Sequence, residues 1–274
     1  MDTINASCSS FCEQPVSRAI PFDRPSGRKK GRVDVERNGV AQENEYAFLA
    51  EINYPFYADE FDGNIEISAE DDLYFEIKYP EAEDVEGCNY ADVTDYITEY
   101  MKAVWQTLET GQPVNFYGQT LGFEDLVDIQ SFIDYYLVNE ILQNGESGFR
   151  STYCYKRIGE KLKFGPVWDF DNLNESLLQE TSIFKRFLSY ENYYNLVCAR
   201  FDQIKTKIDE VISILKSNYD DVCAVGRIDL RFWKNNEGFG QCYRIIYSQL
   251  TQRSVYLDYV FNKPHAEFLE ILNG

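Results

Sequence analysis

The sequence predicts an α+β fold, with a small strand-containing N-terminal part followed by a mostly helical C-terminal part. Short apolar or alternating runs, which are typical of strands, occur before residue 80 and again between residues 151 and 164. Beyond residue 190, long stretches repeat apolar residues at helical spacing. The chain has 274 residues, 16% of them aromatic, so it can bury a core and is too aromatic to be disordered.

The first 44 residues differ in composition from the rest. Residues 1–44 contain three prolines and the chain's only dense basic cluster, GRKKGR at residues 27–32. We expect a polar, poorly ordered arm here, whose basic cluster either binds phosphate or packs over an acidic body. Residues 45–274 are predicted to form the folded domain.

Two strands are predicted in the first part of this domain. Residues 46–53 are a short apolar run, and residues 73–79 alternate between apolar and polar side chains. The alternation places Leu73, Phe75 and Ile77 on one face of the second strand. Acidic turns are expected between the two strands.

Two amphipathic helices are predicted next. The first covers about residues 92–109 and ends near Gly111, and the second covers about residues 129–144. Asp128 is suited to be the N-cap of the second helix, and Gly145 is suited to a left-handed C-cap.

A β-hairpin is predicted after the second helix, with strands at residues 151–157 and 161–164. The alternation places three side chains on one face and two on the other: Thr152, Cys154 and Lys156, against Tyr153 and Tyr155. Beyond the hairpin, residues 194–215 and 243–261 carry long helical stripes, and Pro264 is expected to open a short last helix.

The charge of the chain limits its partners. It has 46 acidic and 26 basic residues, which gives a net charge of -20. Nucleic acid is therefore not expected as the main partner, because phosphate backbones require Lys and Arg. The charge is compatible with cationic protein substrates or with bound cations, although most of the acids are expected to form a solvated surface.

Cysteine and hydropathy patterns bear on the compartment. Seven cysteines without a C-x-x-C pair, and a single histidine, do not predict a zinc site, and free thiols in a reducing compartment are expected. No apolar run approaches the roughly 20 residues that span a bilayer, and no signal peptide is recognisable. We expect a soluble chain without a membrane span, but the sequence leaves its compartment open.

Asp169 and Asp171 are candidate metal ligands. In an extended segment, two acids at positions i and i+2 point the same way, and Phe170 between them would point into the core. Two carboxylates on one side suit Mg²⁺ or Mn²⁺, which commonly take phosphate oxygens as further ligands. The alternative is an acidic turn after a strand, but Pro166 and Trp168 favour a packed segment.

Glu146 is a candidate catalytic base. It lies 23 residues before Asp169, with the hairpin between them, and protein kinases use this order of helix, loop acid, hairpin and metal-binding acid. Glu146 would then accept the proton of a substrate hydroxyl, and the alternative is a solvent-facing loop acid. Neither H-R-D nor D-F-G is present, which excludes an ordinary protein kinase.

Lys78 is a candidate nucleotide contact. It ends a strand, and Glu99 follows 21 residues later on the next helix, an arrangement that kinases use for the lysine that holds ATP phosphates. The alternative is a solvated lysine at a strand end. Arg150 and Lys156 are further candidates for contacting phosphate.

Several motifs resemble the CotH family of atypical, spore-coat-type kinases. The resemblance covers roughly residues 46–261, and GPVWDFD is its most specific part. The motifs that carry it are FEIKYPE, SFIDYYLVNEILQN, STYCYK, GEKLKFGPVWDFD and LTQRSVYLD. The resemblance implies a compact kinase-like fold that uses ATP and a divalent cation to phosphorylate Ser or Thr in a protein, such as a cationic or Ser-rich spore coat protein. The cytoplasm and the spore coat would both be compatible locations.

Carried over to this sequence, Asp169 matches the metal-binding acid of the kinase motif and Asp171 the second acid of W-D-F-D. Glu146 stands where the family usually has Asp, the continuation NLNES lacks the usual glycine, and family members generally carry more chain upstream. We therefore expect an incomplete N-terminal lobe. These departures favour an alternative, a pseudokinase or a structural or binding protein of the same fold.

Overall fold

The structure is a computed structural model. It describes residues 35–37, 40–42, 45–53, 64–71, 73–85, 89–148, 150–168, 170, 182–233 and 239–273. The described strands are β1 (Val35–Arg37), β2 (Val40–Gln42), β3 (Phe48–Asn53), β4 (Asn64–Ser68), β5 (Leu73–Tyr79), β6 (Val114–Phe116), β7 (Gln119–Leu121), β8 (Thr152–Lys156) and β9 (Lys163–Phe164). The described helices are α1 (Tyr90–Thr110), α2 (Phe123–Leu126), α3 (Ile129–Ile141), α4 (Ser182–Leu188), α5 (Glu191–Ser217), α6 (Tyr219–Trp233), α7 (Phe239–Phe261) and α8 (His265–Asn273).

These elements form the predicted α+β fold. An antiparallel sheet in the N-terminal part has the strand order β4-β5-β3-β8-β9, while β1-β2 and β6-β7 form separate hairpins. From residue 182 onward, the described elements are helical. The boundary at residue 44 stays a prediction, because most of residues 1–44 lie outside the described ranges.

One face of the five-stranded sheet forms the core. Alternation along the strands puts mainly apolar side chains on this face and mainly polar or amphipathic side chains on the other. The apolar members of the core face are at most 3% exposed: Phe48, Ala50, Ile52, Leu73, Phe75 and Cys154. The ring of Phe48 packs edge-on against Tyr100 of α1 at a centroid distance of 5.8 Å. The predicted faces of β5 and β8 are thus confirmed, and the opposite sheet face is left half-exposed.

The predicted starts of the two helices before β8 are confirmed closely by their caps. Asn89 caps α1, which ends at Gly111 in a left-handed conformation with φ 66°. The Asp128 carboxylate accepts a hydrogen bond from the backbone N–H of Ser131 at the start of α3. Because these caps satisfy the first free N–H groups of each helix, they mark the starts in the sequence itself.

The predicted end of α3 was wrong. The helix ends at Ile141, with Leu142 as its C-cap, and the left-handed residue is Gln143 with φ 54° rather than Gly145. The backbone N–H of Asn144 donates to the carbonyl of Asn139 at 2.9 Å, which closes the end of the helix. Because the helix ends at this hydrogen bond, the loop that carries Glu146 begins earlier than predicted.

Several small features were missed, and the terminal helix was predicted correctly. Strand β4 lies where acidic turns were expected, while the β6-β7 hairpin and the short helix α2 were not predicted. Helix α8 follows Pro264 as predicted. No helix within the described residues is long and apolar enough to cross a membrane.

Candidate functional site

A buried amide joins the loop after α3 to the segment that leads into Asp169. The Nδ2 group of Asn144 donates to Oδ1 of Asn139 at 2.9 Å and to the carbonyl oxygen of Trp168 at 3.2 Å. Its Oδ1 accepts from the backbone N–H of Glu146 at 3.1 Å. Asn144 is 2% exposed, so these hydrogen bonds are expensive to lose. The loop of Glu146 is therefore held next to the residue that precedes Asp169.

The same loop is also attached to the start of β8. The backbone N–H of Gly148 donates to Oγ1 of Thr152 at 2.7 Å, and the backbone N–H of Arg150 donates to the carbonyl of Glu146 at 3.1 Å. The side chains of Glu146 and Arg150 form an ion pair, and they are 18% and 27% exposed. The carboxylate of Glu146 thus lies at the surface of the loop, beside a guanidinium group.

Lys78 lies on the half-exposed face of the sheet between two carboxylates. Its Nζ is 2.8 Å from Glu51 of β3 and 2.5 Å from Glu76 of β5. Glu51 and Glu76 are direct cross-strand partners, so the two acids meet at one point of the sheet. Burial alone would lower the pKa of Lys78, but hydrogen bonds and charge from the two acids outweigh it and raise the pKa. The ammonium group therefore stays charged.

Tyr153 connects this cluster to Trp168. It is the cross-strand partner of Glu51 on the other side of β3. Burial, followed by the charge of Glu51, raises the pKa of the Tyr153 phenol to about 12. The Tyr153 ring lies 5.5 Å from the Trp168 ring, centroid to centroid.

A continuous run of contacts thus leads from Lys78 to Glu146. It passes through side chains that belong to β3, β8, the segment after β9 and the loop after α3: Glu51, Tyr153, Trp168 and Asn144. Lys78 and Glu146, which were both predicted from the sequence as site residues, are therefore connected through this run of contacts. Sequence reasoning missed the four connecting residues, because cross-strand neighbours are known only once the sheet order is known. Asn144 alone carried a local signal, since Asn at a helix end commonly caps backbone groups.

Glu99 is not part of this run of contacts. It is exposed on α1, near Tyr117, whose pKa is raised by burial and then by the charge of Glu99. Within the described ranges, the ion pairs of Lys78 go to Glu51 and Glu76 and not to Glu99. Lys78 therefore does not pair with Glu99 as predicted. Its contact with a nucleotide stays a prediction.

Lys156 is buried in the core. Its side chain is 0% exposed and forms an ion pair with Glu45, whose side chain is 1% exposed. Its Nζ also lies 5.4 Å from the ring centroid of Tyr100 and donates to the carbonyl of Arg157 at 3.2 Å. A nucleotide could contact this ammonium group only if the pair with Glu45 opened.

Asp169 and Asp171, the predicted metal ligands, lie outside the described residues. Phe170 between them is half-buried, while Trp168 is 54% exposed, so the segment is less packed at Trp168 than expected. Among the residues that the structure describes, no group of three or more His, Cys, Asp or Glu could hold a metal ion. The metal site stays a prediction on the two aspartates.

Comparison with known proteins adds one finding. A family model described as CotH kinase protein matches residues 46–223, which is more than half of the chain. The matched range includes Lys78, Glu146, Asp169 and Asp171. Neither the curated proteins nor the solved structures yielded a match.

Proposed function

Because the chain belongs to the CotH kinase protein family, we propose that it is a protein kinase. It transfers the terminal phosphate of ATP to a Ser or Thr hydroxyl of a protein and requires Mg²⁺ or Mn²⁺. The observation that carries the proposal is the link from Asn144 to the Trp168 carbonyl. The link supports the proposal because it holds the loop of Glu146 against Trp168, and phosphoryl transfer to a hydroxyl needs the base close to the metal-binding acid.

Glu146 is the proposed general base. Its carboxylate is partly exposed, so a substrate hydroxyl can come within hydrogen-bond distance of it. Its backbone is fixed by Asn144 and by Arg150, so little positioning is left to the moment of reaction. The guanidinium group of Arg150 forms an ion pair with this carboxylate and would orient it.

Lys78 is the proposed contact to the phosphates of ATP. Its side chain is 31% exposed on the open sheet face and stays protonated. With Glu51 and Glu76, however, the cluster has a net charge of -1, which repels a triphosphate. A divalent cation bound to the triphosphate would neutralise part of its charge, so the acidic surroundings of Lys78 support the proposed metal requirement.

The proposed substrate is a protein with positive charge near the phosphorylated hydroxyl. The net charge of -20 attracts cationic chains and repels acidic ones. The family resemblance implies a cationic or Ser-rich spore coat protein as substrate; a cationic one meets this condition, and a Ser-rich one meets it where basic residues flank the serine.

A second candidate function is that of a pseudokinase, which keeps the fold and serves as a binding protein. Glu146 is one methylene longer than the Asp usual in the family, and its carboxylate is already paired with Arg150. A displacement of about 1 Å of a catalytic group can cost about a hundredfold in rate.

Thermal unfolding with and without nucleotide tests the ATP binding that the kinase and a nucleotide-binding pseudokinase would share. ATP with Mg²⁺ or Mn²⁺ at about 100 times its Kd is expected to stabilise the wild type by about 2.7 kcal/mol. Asp169→Ala and Asp171→Ala should abolish this stabilisation, while Asp209→Ala on the exposed side of α5 is the matched control. If the wild type shows no stabilisation, both nucleotide-dependent candidates fail.

Phosphate transfer is then measured with labelled ATP, on the protein itself and on a basic Ser-containing protein. Transfer that is lost in Glu146→Gln supports the kinase. Stabilisation by ATP without transfer supports the pseudokinase. In that case, transfer gained by Glu146→Asp would identify the longer side chain as the cause.

A further inference from the structure

A pocket far along the chain from the candidate site lies among three helices. It is formed where the end of α5 and the start of α6 meet the first part of α7, and its volume is about 340 Å³. The lining residues are Lys216, Tyr219, Tyr243, Arg244 and Tyr247. The three on α7 lie beyond the range that matches the family model.

The walls of the pocket are fixed to one another. The Tyr243 hydroxyl donates to the carbonyl of Leu215, close to the end of α5. Tyr243 and Tyr219 lie ring to ring at a centroid distance of 5.9 Å. Arg244 donates from Nε to the Tyr219 hydroxyl at 2.5 Å, and its guanidinium carbon lies 5.4 Å from the centroid of the same ring. Such mutual support preorganises a binding site.

Two basic residues border a pocket whose walls are otherwise apolar. Lys216 and Arg244 both line it, although acidic residues outnumber basic ones by 46 to 26. Neither cation forms an ion pair with a carboxylate in the part of the chain that the structure describes, including Asp220 and Asp221 in the first turn of α6. No carboxylate of the described residues neutralises either cation, and both cations lie beside the aromatic walls.

We propose that this pocket binds a small aromatic anion, a single ring that carries a carboxylate or a phosphate. The tyrosine rings offer faces and edges to an aromatic ring, and Lys216 and Arg244 would pair with the acid group. A volume of about 340 Å³ is at the lower end of the range of roughly 300–1,000 Å³ for ligand pockets, which suits one ring with one substituent.

Binding of phenyl phosphate and benzoate, measured by calorimetry, tests the proposal and distinguishes the two acid groups. At least one of the two is expected to bind, while benzyl alcohol and the cation benzamidine bind at least about tenfold more weakly. Lys216→Gln and Arg244→Gln are each expected to raise the Kd of the anion about tenfold. Lys207→Gln removes the same charge from α5 outside the pocket and should leave the Kd unchanged.

Any of four results would overturn the proposal. Neither anion binds, benzamidine binds as tightly as the anions, Lys216→Gln leaves the Kd unchanged, or saturating ATP displaces phenyl phosphate. The exposed Lys216 keeps the test valid even if Arg244→Gln fails to fold. Saturating ATP with Mg²⁺ should leave phenyl phosphate bound, and displacement by ATP would show that the pocket is not a separate site.

Discussion

Replacing Arg253 with Met tests the buried ion pair between α7 and α3. The guanidinium group of Arg253 contacts the carboxylate of Glu140, and its Nε donates to the Glu140 carbonyl at 3.1 Å. The Arg253 side chain is 4% exposed and that of Glu140 is 0% exposed. Glu140 is the last residue but one of α3, so the pair also holds the helix end from which the loop of Glu146 starts.

The size of the effect follows from this burial. Met keeps most of the apolar stem but removes the charge, so the carboxylate of Glu140 stays buried without its cation. Breaking a buried pair in this way costs about 3–5 kcal/mol of the free energy of unfolding. In a chain of this size, that corresponds to a fall in Tm of roughly 10 °C.

Urea unfolding of three variants checks this value. Lys205→Met breaks a pair with Asp258 that joins α5 to α7 but is 41% and 51% exposed, so it should cost less than about 1 kcal/mol. Glu140→Met combined with Arg253→Met removes both charges and should recover most of the stability. A double variant as unstable as Arg253→Met, or equal losses of stability in Arg253→Met and Lys205→Met, would show that the buried pair does not have this effect.

Three further predictions concern single residues. Asn144→Ala removes the amide that donates to the Trp168 carbonyl. Hydrogen exchange of the backbone amides in the loop of Glu146 should accelerate, and the free energy of unfolding should fall by about 1–3 kcal/mol. Unchanged hydrogen exchange would contradict this role of Asn144. Cys154 is fully buried, which raises the pKa of its thiol to about 12, so an alkylating reagent near pH 8 should label it only after unfolding, as mass spectrometry would show. Rapid labelling of the native protein would be inconsistent with that burial. Gly111→Ala puts alanine in a left-handed backbone conformation and sets its Cβ 3.0 Å from the Tyr190 ring, so the free energy of unfolding should fall by about 1–2 kcal/mol. An unshifted midpoint of urea unfolding would disprove this expectation.

Local patterns predicted those parts of the fold that depend on neighbours along the chain. Strand β5 covers the seven residues whose alternation predicted it, because one of its faces packs on the core. The start of α3 followed from its cap Asp128, and the start of α1 was predicted from helical periodicity to within two residues. Strand β4 was missed because its outward face carries charge and its pairing partner decides that it is a strand.

The candidate site was predicted only in part, and for the same reason. Glu146 and Lys78 belong to one run of contacts, but the residues that connect them come from strands and loops far apart in sequence. The predicted partner of Lys78 was Glu99, chosen by spacing, whereas the sheet places Glu51 and Glu76 beside it. Spacing along the chain cannot reveal a cross-strand neighbour before the order of strands is known.

The sequence by itself determined the α+β class, the hairpin with Cys154 and Lys156 on the same face, and the motifs that the CotH kinase protein match covers. These features depend on periodicity and on residue types that are close in the chain. The tertiary structure decided which charges meet, since it pairs Lys156 with Glu45 in the core and leaves Lys78 on the open face. Both lysines end a strand, so the sequence alone does not distinguish them. Only the order of the strands and the helices that cover the sheet determine which of the two is buried.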